Sequence, residues 1–193
     1  MQDTNILIVG VGGQGTLLAS VLLGNLAMEH GCDVKLAEVH GMAQRGGSVV
    51  THVRISEKPV HSPLIEEGGA DIIVAFELLE GIRWISYLKE GGTLYINNQK
   101  INPMPVIIGA AEYPDDIPGY LQEHVEHLHL LDADALALEA GSIKAVNTVL
   151  MGALSNALPF DMEMWLNQIE KNVKPKFIDL NKKAFLLGRE ENA

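Results

Sequence analysis

Two glycine-rich stretches carry the residue types best suited to holding an anion. The first, Gly10-Val11-Gly12-Gly13-Gln14-Gly15, follows the apolar run Ile6-Leu7-Ile8-Val9. It opens a segment with apolar residues at helical spacing: Leu17, Leu18, Val21, Leu22 and Leu26. Strand, tight turn and helix in that order present free N–H groups at a helix N-terminus, and glycines let an anion come close to them. Gly10, Gly12 and Gly15 match the G-x-G-x-x-G spacing of dinucleotide-binding turns. Glu38 ends the next apolar run, where a ribose-binding acid would lie. A close strand–helix crossing with no ligand is the alternative use of the same glycines.

The second stretch, His40-Gly41-Met42-Ala43-Gln44-Arg45-Gly46-Gly47-Ser48, comes directly after the second expected strand. Arg45 offers a planar fork of donors for phosphate or carboxylate, and Gly46 and Gly47 leave backbone N–H groups accessible. Loops that follow the first two strands of an open α/β sheet should lie side by side, so a shared anion site is expected. A surface turn whose arginine pairs with a neighbouring carboxylate is the other reading. Arg54 could reach the same region or sit in a salt bridge. His124, His127 and His129 straddle a helix end and a strand, so no common metal-binding face is expected. Glu77 and Glu80 suit a helix N-terminus, and Cys32, after a helix-ending glycine, reads as structural. The chain contains no G-x-S-x-G, H-E-x-x-H or P-loop lysine motif, so its residues point to binding more than to bond-making.

The elements that must position these loops follow from periodicity. A helix is expected from Gln14 to His30, with strands over 33–39, 48–55, 71–76 and 93–97. Glu77 to Lys89 reads as one amphipathic helix stopped by Gly91-Gly92. Further helices are expected over 114–126, 132–140, 144–158 and 175–188, with an extended stretch at 127–131. Small residues over 145–154 suit close packing against the sheet or another subunit. Alternating strands and helices argue a three-layer, mostly parallel Rossmann-like α/β sheet with C-terminal helices, in a single domain spanning 1–193.

Composition narrows the partners. With 14 basic and 25 acidic residues the net charge is −11, and no basic cluster interrupts it, which disfavours nucleic acid and anionic lipid. The single cysteine forbids an intrachain disulfide and a cysteine-ligated iron–sulfur cluster within these residues. No secretory signal or membrane span is expected, and the cytoplasm is the expected compartment.

The combined pattern Gly10–Gly15, Glu38–Val49 and Thr51-His52-Val53-Arg54 resembles the gamma module of the 2-oxoacid:ferredoxin oxidoreductases, specifically the small (beta) subunit of the indolepyruvate type. The resemblance extends to Ser62–Ile65, Asp71–Glu80, Ala145–Thr148, Gly152 and Asn181–Gly188. It implies a subunit without catalytic residues of its own, in a complex that converts aryl 2-oxoacids and coenzyme A (CoA) to acyl-CoA, carbon dioxide and reduced ferredoxin. Thiamine diphosphate and [4Fe-4S] clusters would belong to the large (alpha) subunit, with ferredoxin reached through the complex. Carried over by position, Gly12, Gly13, Gln14 and Gly15, with Gln44, Arg45, Gly46, Gly47 and Ser48, would hold the CoA phosphates and close over the reacting centre. A stand-alone NAD-dependent enzyme using Glu38, an adenylate-forming enzyme and a non-catalytic assembly subunit are the competing readings.

Overall fold

The computed structural model describes residues 3–41 and 46–191. Among these, six strands form one sheet: β1 (Thr4–Val11), β2 (Asp33–His40), β3 (Ser48–Ser56), β4 (Ala70–Ala75), β5 (Leu88–Asn97) and β6 (His127–Leu131). Their order is β2-β3-β1-β4-β5-β6. The strands β1, β4, β5 and β6 run parallel, while β3 is antiparallel to both β1 and β2. The sheet is therefore mixed, and the expected parallel pairing holds from β1 to β6. The reason lies in the connection. Only residues 41–47 join β2 to β3, enough to turn the chain back beside itself but too few for the crossover that a parallel pair needs.

The described helices are α1 (Thr16–Glu29), α2 (Leu78–Arg83), α3 (Met104–Ile107), α4 (Ile117–His124), α5 (Ala133–Ala140), α6 (Val146–Leu154), α7 (Met162–Asn172) and α8 (Ile178–Glu190). Side chains alternate across β1 because a strand has a period of two. Ile6 and Ile8 enter one core with Leu22, Leu150, Trp165 and Phe185 of α1, α6, α7 and α8. Leu7 and Val9 enter the other with Leu78, Leu94 and Leu121. All four β1 residues are fully buried, which fixes β1 as the central strand and yields three layers.

One expected element is corrected. The stretch 77–89 is not a single helix: α2 ends at Arg83, a 3-10 turn covers Ile85–Tyr87, and β5 begins at Leu88. Leu88 pairs with Ala70 and Thr93 with Ile72, so extra residues bulge between the two pairs, and Gly91 and Gly92 lie there rather than at a helix stop.

The small residues of α6 face α8. A Cβ on Gly152 would stand 2.0 Å from the Phe185 carbonyl oxygen, and one on Gly188 would stand 2.0 Å from that of Val149. The two backbones approach too closely for any side chain at either crossing point. Asn181 strengthens the pair: it accepts from the Thr148 hydroxyl at 2.7 Å and donates to the Phe177 carbonyl at 2.8 Å. This packing sets Asn147 of α6 against Gly15, the residue that starts α1.

Candidate functional site

The first glycine turn lies where β1, β4 and β5 end. Its anchor is Gln14. The Gln14 Oε1 accepts from the Val11 N–H at 2.8 Å, while its amide donates to the Phe76 carbonyl at 3.2 Å and to Gln99 at 3.0 Å. Gln99 then donates to Asp134 at 2.8 Å, which also accepts from Asn97 at 3.0 Å. Asn97 accepts from the Ala133 N–H at the start of α5. One chain of hydrogen bonds thus clamps the turn to three strands and a helix, each polar atom answering another. Apart from Gln14 these partners carry no local motif, and they join only once β4 and β5 lie beside β1.

The two glycine-rich loops do meet. Gly12 donates to the Gly47 carbonyl at 2.9 Å, and Gly46 donates back to the Gly12 carbonyl at 3.2 Å. The contact follows from register, since Val11 lies opposite Ser48 in the antiparallel β1–β3 pair. Gly12, Gly46 and Gly47 thereby hold the loops together, with the Gly12 N–H spent on that contact. Gln44 and Arg45 lie outside the described residues. The Ser48 hydroxyl donates to Glu80 of α2, which also pairs with Arg83 at 3.3 Å.

Gly13 and Gly15 have the left-handed backbone that glycine tolerates best, at φ 106° and 88°. Among the described residues neither N–H has a hydrogen-bond acceptor, and the α1 N-terminus has no side-chain cap. Gly15 is the N-cap residue at the positive end of the 14-residue α1, and Gly13 lies two residues before it. They stand between two clefts. The first, about 430 Å³, lies between the turn and β2 and is lined by Thr16, Glu38, His40 and Val49. The second, about 390 Å³, lies on the other side and is lined by Gln14, Gln99, Asp134, Lys144 and Asn147. Gly13 and Gly15 border both.

Glu38 is exposed in the first cleft and accepts from Thr51 at 3.3 Å. It reaches the turn from two strands away, because β3 separates β2 from β1. Elsewhere the acids have structural work. Glu77 caps α2 by accepting from the Leu79 and Glu80 N–H groups, and burial pushes its carboxyl above the ordinary value. His52 is buried too; its Nδ1 accepts from the Ile65 N–H at 3.1 Å, and burial pulls its pKa below the usual 6.5. His129 stacks on Tyr95 and His124 on Tyr120, and no group of three potential metal ligands occurs among the described residues. No helix among them is long and apolar enough to cross a membrane.

An uncapped helix N-terminus at a glycine turn of an α/β sheet, flanked by two open clefts, presents donors of the kind that suit an anion. Known proteins extend that reading. The family described as pyruvate ferredoxin/flavodoxin oxidoreductase matches residues 5–191. Indolepyruvate oxidoreductase subunit IorB of Thermococcus kodakarensis is 44% identical, over 97% of this chain and 95% of that one. The fold also matches the pyruvate oxidoreductase subunit PORC of Thermotoga maritima, at TM-score 0.74 and 24% identity over 98% of this chain and 97% of that one. A 2-oxoglutarate:ferredoxin oxidoreductase from Magnetococcus marinus, solved with 2-oxoglutarate, coenzyme A and succinyl-CoA, matches at TM-score 0.74 and 18% identity over 100% of this chain and 31% of that one. The chain belongs to the pyruvate ferredoxin/flavodoxin oxidoreductase family, as a small subunit of a 2-oxoacid:ferredoxin oxidoreductase.

Proposed function

We propose that this chain is a single gamma-type domain, residues 1–193, that binds CoA for a large alpha subunit acting on indolepyruvate and related aryl 2-oxoacids in the cytoplasm. The observation that supports it best is the uncapped α1 N-terminus, with the unspent Gly13 and Gly15 N–H groups between two clefts. The overall reaction joins the acyl group of the 2-oxoacid to the CoA sulfur and releases carbon dioxide and a proton. Two electrons leave on ferredoxin. When bound on the large subunit, thiamine diphosphate supplies the carbanion chemistry and [4Fe-4S] clusters the path for electrons. The single cysteine here is consistent with clusters held elsewhere.

In this reading the chain's own residues bind and position. Gly13 and Gly15 donate to the CoA phosphates, Gly12, Gly46 and Gly47 keep the two loops joined, and Gln14 holds the turn on the sheet. Gln44 and Arg45 extend the same site, while Ser48 fixes the second loop on α2. No proton transfer is assigned to any of them. The contribution to rate is placement of the thiol, an entropic gain that needs no reacting side chain. The alternative of a separate NAD-binding enzyme is disfavoured by topology, since Glu38 sits on an edge strand beyond β3 and is already engaged by Thr51.

The test is reconstitution without oxygen. This chain, a candidate large subunit, indolepyruvate or phenylpyruvate, CoA and a viologen dye are combined, and each component is omitted in turn. CoA-dependent dye reduction should need both chains. Full activity without this chain would overturn the proposal.

A further inference from the structure

We propose that α3 (Met104–Ile107), with Ile108 after it, is an apolar plug that seats in an apolar recess of the large subunit. The choice of partner rests on the reading of this chain as the small subunit that presents CoA to that subunit. Met104, Ile107 and Ile108 are 65%, 64% and 69% exposed, more than any other large apolar side chain among the described residues. Their i, i+3, i+4 spacing places them together on one side of the helical turn. The run from Ile101 to Ala111 holds no charged residue, in a chain with 14 basic and 25 acidic ones. No other helix or strand among the described residues makes an extensive contact with α3. Apolar side chains grouped in water in this way mark an interaction surface.

The plug is held in shape by its own backbone. The Pro103 carbonyl accepts from the Val106 N–H at 2.9 Å and from that of Ile107 at 3.1 Å. The Pro105 carbonyl accepts from Ala110 at 2.8 Å and Ala111 at 3.1 Å, across Gly109 at φ 73°. Its two ends are pinned as well. The Lys100 ammonium lies 4.2 Å from the centre of the Tyr113 ring, and the Gln99 carbonyl accepts from the Leu78 N–H at 2.9 Å. A shape set before binding loses little entropy on binding. Position names the occupant. Since β5, β4 and β1 run parallel, the loop leaves the same rim of the sheet as the glycine turn, and Gln99 at its root bonds Gln14. A large subunit that takes the CoA thiol from this rim must lie against it. A second copy, also at −11, would be repelled, as would an anionic membrane.

The test titrates the full chain against its large subunit. The Ile107→Asp/Ile108→Asp variant should raise the Kd about 100-fold or more, about tenfold for each apolar anchor lost. Its melting temperature as a free chain should stay within about 2 °C of the wild type, because both side chains are exposed. With the large subunit in excess, turnover and the KM for CoA should return to wild-type values. Met162→Asp, an exposed site at the start of α7 beyond the far end of α6, is the control and should leave the Kd within about twofold. A wild-type Kd in the double variant, or an equal loss in the control, would overturn the proposal. So would a dimer of the free wild-type chain that the double variant breaks while still binding the large subunit normally, because a second copy would then be the occupant. Wild-type turnover that does not depend on CoA would instead defeat the CoA reading, and the titration would still decide the docking.

Discussion

Replacing Gly13 with alanine separates backbone strain from ligand binding. The residue has φ 106°, a conformation that a residue with a Cβ adopts at a cost of roughly 1–2 kcal/mol. A Cβ there would meet nothing within 4 Å, so no steric clash adds to the cost. In a chain of this size roughly 1–2 kcal/mol lowers Tm by about 2–8 °C. Gly31→Ala is the control. It has φ 87° and equally open surroundings, but lies beyond the far end of α1 from the turn. Thermal melts of the two variants should therefore agree within a few degrees. Kinetics should not agree. The added methyl projects into open space beside a free N–H, where it would keep a phosphate away. Losing one charge-assisted hydrogen bond, about 1.5–3 kcal/mol, corresponds to a KM for CoA raised roughly 10- to 150-fold in the assembled enzyme. The Gly31 variant should keep the wild-type KM. Matched melts together with an unchanged KM in the Gly13 variant would refute the placement of a phosphate at this turn.

Three further outcomes are expected. Arg45→Ala should raise the KM for CoA without disturbing assembly, and an unchanged CoA dependence would remove Arg45 from the site. Gly152→Ala should cost roughly 3 kcal/mol or more, because its methyl would collide with the backbone of Phe185, and a urea midpoint like the wild type would contradict the α6–α8 packing. His52 should make stability fall with acidity. Its folded pKa lies below 6.5, so as the pH drops through 6.5 the unfolded chain takes up a proton that the native chain does not, and stability is lost progressively down to the folded value. Melts from pH 7.5 to 5.5 should show that slope, and His52→Asn should flatten it; a slope unaltered by the substitution would assign the effect to other groups.

The sequence by itself determined what depends on a few neighbouring residues. The apolar run Ile6–Val9, the glycines after it and the helical spacing from Leu17 specify a strand, a turn and a helix through local backbone preference and side-chain period alone. The helix start near Glu77 and the break at Gly31 were legible for the same reason. Tertiary structure decided the rest. The two glycine loops join because β3 enters antiparallel between β1 and β2, a pairing of residues about forty apart that no local pattern encodes. The stretch after Arg83 became a turn and a strand because pairing Leu88 with Ala70 outweighed the helical periodicity. Gln14 lines the second cleft and is also held by Phe76 and Gln99, partners that only the fold brings to it. Local geometry is set by short-range sterics, whereas the site is made by contacts whose partners the chain brings together only on folding.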